Sequence, residues 1–262
     1  MTTQAPFTAA EMMTVAASRL LQNEDVCFVG IGLPSAAANL ARLTHAPGVV
    51  LIYESGPIGA KPDVLPLSIG DGSLAETADT VVSTSEIFRY WLQGGRVTVG
   101  FLGAAQIDRF ANINTTVIGD YAHPQVRLPG AGGAPEIAAC AGKVILVLRQ
   151  SARAFVERVD FITSVGYLNG GEARKRLGLP GQGPVAVVTD LCLMSPDTAT
   201  KELTVTHLHP GVSADKVRAA TGWKIRFADA VDETPAPTTL ELETLRQLQR
   251  RTALAHGRTP EA

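Results

Sequence analysis

The sequence predicts an α/β protein with an open, mostly parallel sheet and flanking helices, and three observations carry that prediction. Short apolar, β-branched runs of four to six residues recur along the chain, at 26–29, 49–53, 80–83, 96–100, 143–148 and 185–189, each too short for a helix. Stretches of helical spacing lie between or beside several of them. The 25 glycines and 16 prolines sit in short loops rather than tracts, as suits tight strand-to-helix turns.

In chain order, Thr8 and Glu11 form a capping box and Phe7 with Met12 a hydrophobic staple, opening a helix to about residue 22. Met12, Val15, Ala16 and Leu20 mark its buried face. The run 26–29 ends in Gly30-Ile31-Gly32, and Pro34-Ser35 starts a second helix reaching Leu43. The run 49–53 then reads as a buried strand. Strand, glycine turn, helix, strand is a βαβ unit, which makes the two strands parallel. Further helices are expected at 85–92, at 213–221 with Ser213 as cap and Gly222 past its end, and from Thr238 through Leu242, Leu245 and Leu248. Neither a repeat nor a linker stands out, so one domain is expected over 1–262, with 257–262 as a frayed tail. The segment 103–133 is unusual: small and polar residues such as Asn112, Asn114, Thr115 and Asp120 replace periodic apolar ones. So long an irregular stretch points to function.

Composition removes several classes of function. At 45 % apolar and 18 % charged residues the 262-residue chain can bury a large core. A net charge of −2 supplies no general attraction to nucleic acid or an anionic membrane. No apolar run reaches ten residues, against about 20 for a membrane span, and the first residues carry no signal-peptide pattern. Cys27, Cys140 and Cys192 lack metal or disulfide spacing, and the five histidines do not cluster, so no metal site is expected. A reducing, cytoplasmic location fits.

Glu54 ends the 49–53 strand inside Tyr53-Glu54-Ser55-Gly56-Pro57. Ligands of open parallel sheets bind beyond such strand ends, so this carboxylate either faces a substrate or is a solvated glutamate at a turn. The N–H groups of Gly30-Ile31-Gly32, with a helix start behind them, suit an anion or a developing oxyanion. The same residues partly match a dinucleotide fingerprint, because Glu54 lies 24 residues after Gly30; Ser35 in the third glycine position and Pro34 weaken that match. Gly130, Gly132 and Gly133, followed by Ala134, form a second loop that permits either close ligand approach or a tight packed turn. Neither loop has the Lys-Ser/Thr of a P-loop, and Ser55 lacks a nucleophile-elbow frame.

Four segments in this order, Gly30-Ile31-Gly32-Leu33-Pro34, Glu54-Ser55-Gly56, Gly103-Ala104-Ala105-Gln106-Ile107-Asp108 and Gly130-Ala131-Gly132-Gly133-Ala134, resemble the β subunit of family I coenzyme A transferases. The likeness runs from about Thr8 to the C-terminal helix. It implies that family's sugar-isomerase-like fold and gives Glu54 the role of nucleophile, carrying first an acyl anhydride and then a CoA thioester in ping-pong catalysis. It implies that Gly30 and Gly32 donate N–H groups near the reacting carbonyl, that the 130–134 loop lies against the coenzyme or acyl group, and that Gln106 is a candidate substrate contact. Coenzyme A enters as part of the substrate, with no permanently bound cofactor. The resemblance further implies a separate α subunit in an α2β2 assembly. The substrates it implies are succinyl-CoA and 3-oxoadipate, in aromatic-compound breakdown; glutaconate or another dicarboxylate, or hydrolysis of an acyl-CoA, are the alternatives. A sensor on the same fold would have no use for Glu54-Ser55-Gly56. Lys61, Arg109 and Arg127 are candidate cations for a dicarboxylate. One departure is visible: Ala111 stands where family members carry glycine, and would be strained by about 1 kcal/mol if that position needs a positive φ.

Overall fold

In the computed structural model residues 7–257 are described, so 258–262 of the expected tail lie outside the described residues. Two compact units emerge, one from the chain up to Ile87 together with the chain from Ala236 onward, the other from Phe88–Pro235.

In the first unit the expected βαβ arrangement forms. Strand β1 (Val26–Phe28) pairs in parallel with β2 (Val50–Ile52), and the helix Leu33–Leu43 makes the crossover. Ala36, Ala37, Ala38 and Ala41 are buried on that helix, and such small side chains let a helix approach its neighbours closely. Beyond β2 the chain turns back into β3 (Pro57–Ile58) and then β4 (Thr80–Val81), both antiparallel. The β2–β3 connection is a tight turn, too short for a parallel crossover.

The N-terminal helix, Ala9–Ser18, starts with the expected Thr8/Glu11 capping box and stops four residues before the predicted end. The C-terminal helix Thr239–Ala255 starts with the same device, Thr238 and Glu241. Each capping glutamate also takes an arginine from the other helix region: Glu11 binds Arg246 at 2.6 Å, and Glu241 binds Arg19 at 2.7 Å. Val15, Leu40 and Leu245 meet beneath these pairs, each fully buried, and burying such side chains contributes about 2 kcal/mol apiece.

In the second unit six strands lie side by side in the order Arg226–Glu233, Leu203–Leu208, Cys192–Pro196, Pro184–Val188, Lys143–Val147 and Val99–Leu102. Strands β5 (Val99–Leu102), β10 (Lys143–Val147) and β11 (Pro184–Val188) are parallel and mostly buried. The strand expected at 96–100 begins only at Val99, because Arg96 and Val97 donate to Trp91 O and close the π-helix Ile87–Leu92. Between β5 and β10 lie two small hairpins: β6 (Gln106–Ile107) with β7 (Ile113–Asn114), and β8 (Val117–Gly119) with β9 (Pro124–Arg127). They fill the aperiodic segment 103–133. At the far edge β12 (Cys192–Pro196) and β13 (Leu203–Leu208) form an antiparallel pair, and β14 (Arg226–Glu233) joins β13 in parallel. The helix capped by Ser213 is present as Ala214–Ala219, shorter than the 213–221 expected. No helix among the described residues is long and apolar enough to cross a membrane.

The Arg246 hydrogen bond holds the Glu11 carboxyl below its ordinary value. For Glu241, burial opposes the shift, but the Arg19 and Thr238 bonds together outweigh it. Both carboxyls therefore titrate lower folded than unfolded, and their stabilisation is complete above the ordinary value of 4.5 and lost as pH falls through the folded values. Replacing both by glutamine, which can still cap, should lower the thermal midpoint at pH 7 by roughly 2–4 °C. The deficit should shrink as pH falls below 4.5; one that stays the same in acid would rule out the ion pairs as its cause.

Candidate active site

The parallel register of β1 and β2 sets the geometry of the first unit's site. Val26 faces Val50 and Phe28 faces Ile52, a constant offset of 24, and Val29 N–H donates to Ile52 O at 2.9 Å. That offset equals the Gly30–Glu54 spacing, and the two residues follow the adjacent ends of β1 and β2. The spacing that partly matched a dinucleotide fingerprint is thus a pairing register. Gly32 caps the crossover helix at φ +74°, a conformation open to glycine, with Pro34 in the first turn. The N–H groups of Gly30, Ile31, Gly32 and Leu33 find no acceptor among the described residues. A Cβ at Gly30 or Gly32 would meet nothing within 4 Å, so the turn is open to an incoming atom.

The turn that carries Glu54 is held at nearly every other point. Gly56 N–H donates to Tyr53 O at 3.0 Å, and Tyr53 N–H to Pro57 O at 3.1 Å. Ser55 Oγ donates to Ile69 O. Gly56 sits at φ +123° and accepts from Val82 N–H at 3.1 Å, so close that an added Cβ would lie 2.1 Å from Val82 O. Tyr53, fully buried, places its hydroxyl 3.3 Å from Ser35 Oγ. Glu54 itself is half-buried and makes no hydrogen bond or ion pair among the described residues. A fixed backbone bearing one uncommitted carboxylate, with a turn of uncommitted N–H groups at the end of the neighbouring strand, is suited to nucleophilic attack on a carbonyl whose oxygen becomes an anion.

The second unit gathers the other predicted residues. Gln106 is buried, and both sides of its amide are engaged: Nε2 donates to Asp160 Oδ2 at 3.0 Å, while Oε1 accepts from Asn114 Nδ2 at 2.7 Å and Asp160 N–H at 3.1 Å. It fastens the first small hairpin to the 160 segment. The 130–134 loop is tied at one end, where Gly130 N–H donates to Thr115 O and Thr115 Oγ1 to Gly130 O, at 2.9 and 2.8 Å. Gly130 (φ +106°) and Gly132 (φ +49°) face open space, and Gly133 and Ala134 start the helix Ala134–Cys140. The loop is therefore an open turn at a helix start rather than one packed under other backbone.

Ala111 has φ +58°, so the position does require the left-handed region. It is held there by Asp108, whose Oδ1 accepts from Phe110 N–H and Asn112 N–H, at 2.9 and 3.0 Å, while Asn112 Nδ2 binds its other oxygen. Burial raises the Asp108 carboxyl above its ordinary value, and these donors oppose that rise.

Of the candidate cations, Lys61 pairs with Asp79 at 2.6 Å, and Arg127 lies over Tyr121 while donating to its carbonyl. Arg109 pairs weakly with Glu157 at 3.5 Å and lines an open groove of about 980 Å³ with Phe110, Arg158 and Asp160. His209 is buried between Thr189 O and Thr234 Oγ1, a structural role, with burial lowering its pKa. No group of three His, Cys, Asp or Glu side chains among the described residues could hold a metal ion.

These features define an enzyme of the acyl-transferring kind, and comparison with known proteins gives the class. The coenzyme A transferase family pattern matches residues 10–220. The chain is 70 % identical to a subunit of 3-oxoadipate CoA-transferase from Pseudomonas knackmussii, with 96 % of each chain covered. A subunit of glutaconate CoA-transferase from Acidaminococcus fermentans is 35 % identical over 90 % of this chain and 91 % of its own. A chain of the crystal structure of that organism's glutaconate coenzyme A-transferase superposes with a TM-score of 0.86, covering 93 % of this chain and 95 % of its own. The cholesterol ring-cleaving hydrolase IpdB subunit of Mycobacterium tuberculosis is 27 % identical, with 91 % and 93 % covered. The chain belongs to the coenzyme A transferase family. It is a CoA-transferase with that family's α/β fold.

Sequence reasoning missed the Tyr53–Ser35 contact and the close approach at Gly56. The signal for the latter was the glycine itself, next to Pro57 at a strand end. Gly56→Ala should cost about 3 kcal/mol or more, because backbone at Val82 must move. Gly32→Ala carries only the strain of a left-handed residue, about 1 kcal/mol. Urea unfolding that ranks the two equally would disprove the close approach at Gly56. Ala111→Gly trades strain against chain entropy and should be stabilising by up to about 1 kcal/mol. A loss of that size would mean that the buried methyl, not the backbone, decides.

Proposed function

We propose that this chain is the glutamate-bearing β subunit of a 3-oxoadipate CoA-transferase, acting in aromatic-compound breakdown in the cytoplasm with a separate α subunit, as an α2β2 assembly. The observation that carries the reading is Glu54: half-buried, without a partner among the described residues, and at the end of the strand paired with the one that leads into the open 30–33 turn. The 70 % identity to one subunit of a 3-oxoadipate CoA-transferase supports the acceptor and the need for a second chain.

In this mechanism the Glu54 carboxylate attacks the thioester carbonyl of succinyl-CoA, and the electron pair moves onto the carbonyl oxygen. Collapse expels CoA thiolate and leaves a succinyl–glutamyl anhydride. The thiolate attacks the glutamyl carbonyl, succinate departs, and CoA remains as a thioester on Glu54. A carboxylate of 3-oxoadipate then attacks that thioester, releasing the thiolate again. The thiolate finally attacks the 3-oxoadipyl carbonyl of the new anhydride, forming 3-oxoadipyl-CoA and freeing Glu54. No net proton or electron is exchanged. An oxyanion forms at each addition, and the turn's N–H groups, with the helix start behind them, stabilise it; one such donor is worth about 3 kcal/mol in the transition state. Gly130, Gly132, Gly133 and Ala134 receive the coenzyme or acyl group on their open side, and Gln106 acts by holding the hairpin that leads to this loop.

The test is mass spectrometry of the chain co-expressed with its α partner. After incubation with succinyl-CoA and borohydride reduction, the peptide containing Glu54 should lose about 14 Da, thioester having become alcohol. Glu54→Gln should abolish both this mark and turnover, and 3-oxoadipate should outpace glutaconate as acceptor. An unmodified peptide in an active complex would reject covalent catalysis and favour hydrolysis with Glu54 as general base.

A further inference from the structure

We propose that Tyr53 and Ser35 form a positioning pair that sets the Glu54 carboxylate against the N–H groups of the 30–33 turn; the inference rests on Glu54 being the nucleophile. Tyr53 directly precedes Glu54 on the strand side, and Ser35 lies in the first turn of the helix that Gly32 caps. Their hydroxyls meet at 3.3 Å, and both residues are fully buried. Behind them a polar chain continues: Asn39 Nδ2 donates to Ser35 O at 2.9 Å and to Ser35 Oγ at 3.4 Å. Asn39 Oδ1 accepts from Arg42 Nε and Nη2, and that Nη2 also donates to Pro62 O at 3.1 Å. The strand end bearing the nucleophile, the helix start forming the turn and the loop beyond β3 are thereby joined by one buried thread.

Packing alone does not account for these groups. Phenylalanine would fill the Tyr53 site, and alanine would continue the run Ala36, Ala37, Ala38 next to Ser35. A buried hydroxyl is costly unless it is hydrogen-bonded, and each supplies the other's partner. Burial also pushes the Tyr53 phenol up, which keeps it protonated and able to donate. What the bond adds is orientation. Tyr53 can tilt only if it breaks the contact, and Glu54 follows its backbone. The reacting atoms tolerate little error, since about 1 Å of misplacement costs roughly 100-fold in rate.

The experiment measures kcat, KM for succinyl-CoA and thermal midpoint for Tyr53→Phe, Ser35→Ala, the double variant and Ser35→Thr, each in complex with the α subunit. Rates are normalised to the borohydride-trapped thioester, so that a partly unfolded preparation still reports on its active sites. Each single variant should lower kcat by about 10- to 100-fold with KM within about twofold. The double variant should be no slower than the slower single one, because both remove the same bond, and Ser35→Thr should recover most of the rate. A wild-type kcat in Tyr53→Phe, multiplying losses in the double variant, or a lowered melting point without a lowered kcat would each overturn the pairing. Glu54→Gln serves as the reference: if it still turns over, the nucleophile assignment has failed rather than the pair.

Discussion

The hydrogen bond from Val29 N–H to Ile52 O closes a parallel register on which the first unit's chemistry depends. The 30–33 turn and Glu54 leave the ends of these two neighbouring strands, so a slip of one residue would displace one turn against the other. Prevention comes from the strand's interior, where Leu51, Ile52 and Tyr53 are all fully buried, and from the alanine-lined helix between the strands. The two turns of the candidate site are consequently set by apolar packing in the strands behind them.

What the amino-acid pattern disclosed was local or periodic. The capping box at Thr8, the helix start at Thr238 and the helix after Gly32 rest on neighbours a few residues apart, the parallel pair before Glu54 on the strand–turn–helix–strand order, and each formed within a few residues of where the pattern put it. Tyr53 and Ser35 are 18 residues apart, one in an apolar run and the other in a small-residue helix, and neither position signals a partner. The helix expected at 85–92 is present, but as a π-helix over Ile87–Leu92, whose bonds skip five residues, as from Gln93 N–H to Phe88 O, a difference the residue pattern does not show. Strand β14 was missed because most of its residues are exposed, so it lacks an alternating apolar face. The β12–β13 turn is built by Asp197, whose Oδ1 accepts from Ala199 and Thr200, an arrangement that many loop aspartates also make.

The two units treat their polar groups differently. In the second, several buried polar side chains hold loops, while Ser164 Oγ and Trp223 Nε1 are buried without a partner among the described residues. Arg174 donates to the carbonyls of Gly181, Val165, Gly166, Ala138 and Ala139, five backbone acceptors and no carboxylate. Gln106 and Asp108 likewise spend their capacity on hairpin and turn geometry. In the first unit the buried hydroxyls and amides are equally engaged, yet Glu54 and the row of N–H groups at 30–33 are left over. Rigid surroundings with a few unspent groups are what preorganised catalysis requires.

The reciprocal arginine pairs have a bearing on synthesis as well as stability. The first unit closes only when Glu241 and Arg246 reach Arg19 and Glu11, so it needs a helix that leaves the ribosome after the whole of the second unit. The second unit, Phe88–Pro235, is continuous in sequence and can finish while that helix is still being made. Order of birth is thus inverted relative to order of completion. The segment holding Glu54 is translated early and waits, its core open, for the C-terminal helix.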